Sequence, residues 1–230
     1  MIRVVAAFLI SVALVSSGPV TAATAGGAEI HWESKGNGPA LVFIHGVLRD
    51  MSDWANQVAQ FEDDYRVITL DLPGYGQSGT PTEEGENSLS HFAEAVEAVR
   101  AEAGIDQMVL VGHSLGGFVI GEYVMLYPEH VAGIVAADSQ FHGPRDPVNP
   151  RDPSIVFTAT ITRDDSIESP ALLVWGGNSN LLKGFQEDDV QRLYPHGRVA
   201  MMPNVGHDVM LENPAEFNRL LREFLQEIAY

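Results

Sequence analysis

The strongest constraint in this sequence is a serine between glycines, Gly112-His113-Ser114-Leu115-Gly116, because of what lies on either side of it. Residues 107–111 form a short apolar run, which is typical of a strand buried inside a sheet. Residues 117–127 have helical character, and Pro128 ends that segment. A Gly-x-Ser-x-Gly motif between a strand and a helix predicts a nucleophile elbow, a turn tight enough to expose the serine hydroxyl above the sheet.

The rest of the chain alternates strand-like and helix-like segments from residue 28 onward. Strands are predicted at 29–33, 40–44, 65–70, 107–111, 131–138, 171–175 and 198–202. Helices are predicted at 52–61, 88–103, 117–127, 184–193 and 214–228, the first of them capped by Ser52 or Asp53. This alternation predicts an α/β fold with a mostly parallel central sheet and helices on both faces.

One segment, residues 139–169, breaks the alternation. Four prolines, at 144, 147, 150 and 153, exclude a long helix in its first half. We therefore expect an irregular insert here, within a single domain that covers residues 26–230.

The N-terminal residues differ in kind from the rest. Arg3 precedes an apolar run over residues 4–15, and Ala23-Thr24-Ala25 follows. Charged, apolar and small-residue regions in this order predict a secretory signal peptide over residues 1–25. The apolar run is shorter than the roughly 20 residues of a membrane-spanning helix, although an uncleaved anchor is the alternative. The expected location is secreted or periplasmic, without stable membrane insertion.

Composition excludes several kinds of chemistry. The sequence has no cysteine, which excludes disulfides, thiol catalysis and cysteine metal sites. Its eight histidines form no His-Glu-x-x-His motif, so neither a metal nor another cofactor is expected. With 31 acidic and 13 basic residues, the formal net charge of −18 disfavours nucleic acid and anionic membrane surfaces as partners.

A serine nucleophile needs a base, and the sequence offers one late in the chain. His207 lies in Val205-Gly206-His207-Asp208, directly after the last predicted strand. Loops at the carboxyl ends of the strands meet at one edge of an open α/β sheet, so His207 is expected beside Ser114.

The negative charge that develops on an attacked carbonyl oxygen needs two preorganised donors. The amide of Leu115, at the start of the elbow helix, is one candidate. The loop after strand 40–44 offers the other, because Gly46 allows close backbone approach and Val47 presents its N–H. His45 is expected to organise this loop rather than to act in catalysis.

Together these pieces resemble the α/β-hydrolase superfamily. The matching segments are His-Gly at 45–46, Trp54, Asp-Leu-Pro-Gly-Tyr-Gly-Gln-Ser at 71–78, Gly-His-Ser-Leu-Gly-Gly at 112–117 and Gly-His at 206–207. The resemblance implies a serine hydrolase that forms an acyl-enzyme, with Ser114 as nucleophile, His207 as base, and the Val47 and Leu115 amides as oxyanion hole. Asp71 and His113 match positions that are usually structural in this family. Members that select bulky substrates usually insert several helices where residues 139–169 lie, so the resemblance implies a short cap or lid here, too small to enclose a deep pocket.

The third catalytic residue departs from the family's pattern. The family usually carries an acid in Gly-x-x-Asp after the strand at 171–175, but this chain reads Gly-Gly-Asn-Ser-Asn at 176–180. Replacing such an Asp by Asn in a serine protease costs on the order of 10⁴ in turnover. We therefore expect Asp138, at the end of the strand after the elbow helix, to be the acid. The alternatives are a Ser–His pair assisted by Asn178 or Ser179, or impaired chemistry.

The sequence thus predicts a secreted, cofactor-free carboxylic-ester hydrolase acting on small or polymer-borne esters. Acyl transfer, perhydrolysis or lactone hydrolysis at the same site is the first alternative, since the pocket selects the acyl acceptor. A non-catalytic ligand binder is the second, supported only by the missing acid at 178–180. Epoxide and haloalkane hydrolysis are disfavoured because similar enzymes carry Asp where Ser114 stands. The oligomeric state is left open.

Overall fold

Nine strands lie in the part of the chain that the computed structural model describes, which is residues 23–82, 88–142, 165–180 and 187–230. Two of them, β1 (Thr24–Ala25) and β2 (Ala28–Glu29), pair as a short hairpin. The other seven form one sheet: β3 (Trp32–Lys35), β4 (Ala40–Ile44), β5 (Arg66–Leu70), β6 (Met108–His113), β7 (Val131–Ala137), β8 (Ala171–Gly176) and β9 (Gly197–Met202).

Six α-helices accompany these strands within the described residues, and the last two of them follow β9. They are α1 (Ala55–Phe61), α2 (Leu89–Glu102), α3 (Leu115–Leu126), α4 (Glu187–Leu193), α5 (Val209–Glu212) and α6 (Pro214–Glu227). Two 3₁₀ turns, at Met51–Trp54 and Pro128–His130, precede α1 and β7. The predicted alternation of strands and helices is therefore confirmed.

The sheet is parallel except at one edge. Its order is β3-β5-β4-β6-β7-β8-β9, and β3 alone runs antiparallel to its neighbour, β5. Parallel neighbours need crossover connections, and the helices supply them on both faces. The alternation of β4 shows the result: Ala40, Val42 and Ile44 pack against α2 and α3, whereas Leu41 and Phe43 pack against α1 and α6.

Two local predictions were wrong. The edge strand expected at 29–33 is divided, because Ala28–Glu29 pairs back onto β1 and the edge strand of the sheet begins only at Trp32. The helical segment predicted at 52–61 begins earlier than expected, with the 3₁₀ turn Met51–Trp54. Its N-cap is Asp50, not Ser52 or Asp53, since the Asp50 carboxylate accepts the Ser52 N–H at 2.8 Å. The Asp50 carboxylate thus satisfies one of the backbone N–H groups that have no partner at the start of a helix.

Three strand ends determine where the site lies. β6 is central, with β4 on one side and β7 on the other. In their registers Gly112 of β6 pairs with Ile44, and His113 pairs with Ala137. The loops that begin at residues 45, 114 and 138 therefore leave the sheet side by side, at its carboxyl edge.

Parts of the predicted organisation lie outside the described residues. This holds for residues 1–22 of the predicted signal peptide and for residues 143–164 of the predicted cap. The predicted boundary after Ala25 falls within the β1–β2 hairpin. Among the helices that the structure describes, none has the length and apolar character needed to cross a bilayer.

The face covered by α1 and α6 yields a stability prediction. Phe217 on α6 is fully buried, and its ring lies 6.2 Å from the ring of Trp54. We expect Phe217→Ala to lower the free energy of unfolding by about 3–5 kcal/mol, because both apolar transfer and close packing are lost. Glu223→Ala, on the exposed side of the same helix, is the control and is expected to stay within about 0.5 kcal/mol of wild type. Urea denaturation measures both, and equal losses would contradict this packing.

Candidate active site

The predicted nucleophile elbow lies between β6 and α3. Ser114 has φ 51° and ψ −112°, a backbone conformation that non-glycine residues rarely adopt. The glycines on either side allow this turn to pack closely. A Cβ at Gly112 would lie 2.4 Å from the carbonyl carbon of Gly116, and a Cβ at Gly116 would lie 2.4 Å from the Ile44 carbonyl oxygen. The motif therefore requires glycine at both positions for steric reasons.

Asp138 and His207 are in direct contact. The His207 Nδ1–H donates to Asp138 Oδ2 at 2.7 Å, although the two residues are 69 positions apart. Asp138 directly follows β7, and its side chain is fully buried, whereas that of His207 is 24% exposed. This distance lies within ordinary hydrogen-bond reach, roughly 2.6–3.2 Å. This contact fixes the His207 tautomer with the proton on Nδ1 and leaves Nε2 as the acceptor.

Two further donors hold the Asp138 carboxylate. The Gly176 N–H donates to Oδ1 at 2.9 Å, and the Ser179 hydroxyl donates to Oδ2 at 2.5 Å. Ser179 therefore holds the carboxylate that contacts His207. Asn178 uses its backbone N–H to bind the Val205 carbonyl at 2.9 Å, which links the loop after β8 to the loop that carries His207.

His113 places His207 beside the elbow. The two imidazole rings lie 4.5 Å apart, and the His113 Nε2–H donates to the carbonyl oxygen of His207 at 3.1 Å. Burial lowers the pKa of His113 well below its ordinary value, and the proximity of His207 lowers it further. A neutral, buried His113 next to Ser114 in the chain thus anchors the backbone of His207.

The loop after β4 approaches the elbow from the other side. A Cβ at Gly46 would lie 3.2 Å from the Ser114 Cβ, so the backbone of this loop passes directly beside the serine. Val47 follows and packs partly against the core. Leu115 begins α3, and its N–H is among the first four helical amides, which have no acceptor within the helix. Both expected oxyanion donors therefore belong to segments that border Ser114.

His45 organises this loop. Its Nδ1–H donates to the Gly46 carbonyl at 2.7 Å, and its Nε2 accepts the Leu72 N–H at 2.9 Å. A carbonyl only accepts and an amide only donates, so the ring must be neutral with its proton on Nδ1. Burial lowers the pKa of His45, which favours this neutral form.

Sequence reasoning missed two groups that connect the loops. Arg49, next to the Gly46–Val47 segment, binds Asp53 and reaches Asp208 at 3.3 Å. The Glu212 carboxylate accepts the backbone N–H groups of Gly206 and Asp208, at 2.8 and 3.2 Å, on either side of His207. The sequence did contain a signal for Glu212, because it is a carboxylate five residues after His207, on the helix that follows.

Within the described residues, histidines and carboxylates form no group of three or more with the geometry to hold a metal ion.

Comparison with known families decides the affiliation of this fold. The profile of a family described as "alpha/beta hydrolase fold" matches residues 39–165, more than half of the chain and the region that carries β4, the elbow and Asp138. The chain belongs to the α/β-hydrolase family. The resemblance noted from sequence motifs and the predicted fold class are both confirmed.

Curated relatives of this α/β hydrolase match between about half and about nine tenths of its chain. Mouse "Bifunctional epoxide hydrolase 2" is 31% identical over 125 residues, which is 54% of this chain but 23% of that protein. The "Dihydrolipoyllysine-residue acetyltransferase component of acetoin cleaving system" of Pseudomonas putida is 25% identical over 89% of this chain and 69% of its own length. The chain spans less than a quarter of the length of the epoxide hydrolases that it matches first.

Solved structures resemble nearly the whole chain. One described as "Est816 as an N-Acyl homoserine lactone degrading enzyme" superposes with a TM-score of 0.75 and 25% identity, covering 89% of this chain and all of the other. A thermophilic esterase from Thermogutta terrifontis gives a TM-score of 0.74 at 18% identity, with 91% of this chain and 97% of the other covered. At that identity the likeness concerns the fold.

Proposed function

We propose that this α/β hydrolase is a serine hydrolase that cleaves carboxylic esters through an acyl-enzyme. The observation that carries the proposal is the 2.7 Å contact between Asp138 and His207, next to a serine in a strained strand–helix turn. A serine is a weak nucleophile unless a base accepts its proton and a third group orients that base. Ser114, His207 and Asp138 supply these three roles.

Acylation follows from this geometry. As the Ser114 Oγ attacks the ester carbonyl carbon, its proton moves to the His207 Nε2, and the carbonyl π electrons become a negative charge on oxygen. The amides of Val47 and Leu115 stabilise that charge. When the tetrahedral intermediate collapses, the C–O bond to the leaving group breaks, and His207 returns the proton to the departing alkoxide. Asp138 stabilises the imidazolium that exists between the two transfers.

Deacylation repeats these steps with water. His207 accepts a proton from water as its oxygen attacks the acyl carbon, and the same amides stabilise the second oxyanion. Collapse releases the carboxylic acid, and the proton returns to the Ser114 Oγ. The cycle consumes one ester and one water, and every proton that is transferred passes through His207. The proposal therefore includes no cofactor or metal.

Lactone hydrolysis is a second candidate, favoured by the likeness to the acyl homoserine lactone degrading enzyme over nearly the whole of both chains. A lactone is a cyclic ester, so the same steps open its ring and leave the alcohol attached to the acid. Epoxide hydrolysis has less support despite the mouse relative, because this chain carries serine at 114. The non-catalytic alternative rested on the missing acid at 178–180, and Asp138 supplies a carboxylate to His207 from another strand.

The same proposal includes the location of the protein and the kind of ester that it cleaves. The predicted signal peptide supports export to a secreted or periplasmic site, and a short cap over residues 139–169 supports small or polymer-borne esters.

Covalent labelling tests the nucleophile, and a substrate panel tests the reaction. We expect a fluorophosphonate probe to label the wild-type protein at Ser114, located by peptide mass spectrometry, and to block turnover of p-nitrophenyl acetate. Hydrolysis of γ-butyrolactone and of styrene oxide is measured in parallel. Labelling without ester or lactone turnover would favour a ligand binder, whereas epoxide opening by an unlabelled protein would contradict the proposed nucleophile.

A further inference from the structure

Ser139, which follows the proposed acid, contacts the elbow in a way that the mechanism above does not use. Its hydroxyl donates to the main-chain carbonyl oxygen of Ser114 at 2.6 Å, across 25 residues of sequence. Ser139 is 3% exposed, so this bond is shielded from water. The Gly117 N–H donates to the same carbonyl at 3.0 Å.

The carbonyl of Ser114 and the N–H of Leu115 belong to one planar peptide unit. Two hydrogen bonds to the oxygen of a rigid plane determine the direction in which the N–H at its other end points. A hydrogen bond accepted by the carbonyl also polarises the peptide and makes its N–H a stronger donor. We infer that Ser139 is a positioning residue of the oxyanion hole, acting through the Ser114–Leu115 peptide. This inference rests on the proposed function.

The surroundings of Ser139 fix its hydroxyl in place. Its own carbonyl accepts the Trp175 Nε1–H at 3.1 Å, which ties it to β8. A Cβ at Gly117 would lie 2.4 Å from the Ser139 Oγ, so the hydroxyl occupies the space that any larger residue at 117 would need. The final glycine of Gly-His-Ser-Leu-Gly-Gly thus has a physical reason that the turn alone does not give.

Asp138 and Ser139 therefore act as one unit. Asp138 has φ 44°, a strained conformation for a residue other than glycine, and its carboxylate orients His207. The next residue orients the peptide that follows the nucleophile. Adjacent residues of a single turn after β7 thus reach both the proposed base and the proposed oxyanion hole. This turn fixes the position of one relative to the other.

Ser139→Ala tests the inference with a matched pair of inhibitors. A trifluoromethyl ketone forms a tetrahedral adduct with the serine and places an oxyanion in the hole, whereas the corresponding methyl ketone binds without reacting. We expect Ser139→Ala to weaken the trifluoromethyl ketone about tenfold and to lower kcat about tenfold. This is less than the roughly 10²–10³ for removing a donor, because the Leu115 N–H remains. Binding of the methyl ketone is expected to change less than twofold.

The control is Ser90→Ala. Ser90 on α2 also loses a bond from its hydroxyl, here to the buried Glu122 carboxylate at 2.6 Å, outside the site. It should lower Tm without changing either inhibitor constant.

Two outcomes would overturn the inference. The first is that Ser139→Ala binds the trifluoromethyl ketone as tightly as wild type does. The second is that it weakens the binding of both ketones equally, which is the pattern of a general structural defect. Failure of the proposed function gives a different result, because the wild-type protein itself would then resist fluorophosphonate labelling or would turn over neither the ester nor the lactone.

Discussion

Alanine in place of Ser114 is expected to reduce turnover of p-nitrophenyl acetate by on the order of 10⁶-fold, and His207→Ala is expected to reduce it by a similar factor. The serine supplies the attacking oxygen, and the histidine supplies the base without which that oxygen keeps its proton. Because the two residues act as a unit, the double variant should be scarcely slower than either single one. Steady-state kinetics of the three purified variants measure these factors.

Controls of the same residue types separate this effect from general damage. Ser166 lies on an exposed segment with its hydroxyl bound to Glu168, and the His196 side chain is 65% exposed. Ser166→Ala and His196→Ala should therefore retain wild-type turnover. Thermal unfolding should show that Ser114→Ala keeps the wild-type Tm or exceeds it, since Ser114 makes no contribution to the apolar core. Turnover of Ser114→Ala or His207→Ala within tenfold of wild type would contradict the assignment of nucleophile and base.

Much of this arrangement could be predicted from the sequence because it depends on local pattern and on topology. An apolar run, a Gly-x-Ser-x-Gly turn and a helix place Ser114 at the carboxyl edge of β6 without knowledge of any long-range contact. The parallel order of the strands then brings the ends of β4 and β7 to the same edge. Asp138 was accessible to prediction for this reason, since it is the carboxylate that directly follows the strand beside β6.

Other features depend on contacts that no local pattern encodes. The bond from Ser139 to the Ser114 carbonyl requires the β6–β7 register and the side-chain conformation at 139. The link from Arg49 to Asp208 joins loops 159 residues apart. The division of the edge strand arises because Ala28–Glu29 pairs with β1, and a two-residue strand is too short to show a period in the sequence.

The histidines illustrate the same difference between pattern and environment. His45, His113 and His207 all lie in loops or strand ends of the site, and residue type alone does not separate their roles. Burial with defined partners makes His45 and His113 neutral structural groups, whereas His207 is partly exposed and bound to a carboxylate. The distinction is electrostatic, because a base must be able to carry a positive charge during the reaction.

Asp138→Asn is expected to lower kcat on the same ester by on the order of 10⁴-fold while leaving the fold intact. The reason lies in the donors around the carboxylate. The Gly176 N–H needs an acceptor at the Oδ1 position, so the amide oxygen of Asn would face Gly176 and its NH₂ would face His207. Nδ1 of His207 would then have to accept, which moves the ring proton to Nε2. In that tautomer Nε2 of His207 donates a hydrogen bond to the Ser114 hydroxyl, and it has no free lone pair to accept the proton of that hydroxyl.

Asn178→Ala is the matched control, since it changes the loop where the family usually carries its acid. Asn178 contributes its backbone N–H to the Val205 carbonyl, and alanine keeps that group, so kcat should stay within about twofold of wild type. Circular dichroism and Tm of both variants establish that the fold is retained. A loss of less than tenfold in Asp138→Asn would favour a Ser–His pair that works without an acid. An equal loss of kcat in Asn178→Ala would place the group that orients His207 on the loop after β8. Only a direct contact of the Asn178 side chain with His207 would make its removal lower kcat as much as the wrong tautomer does.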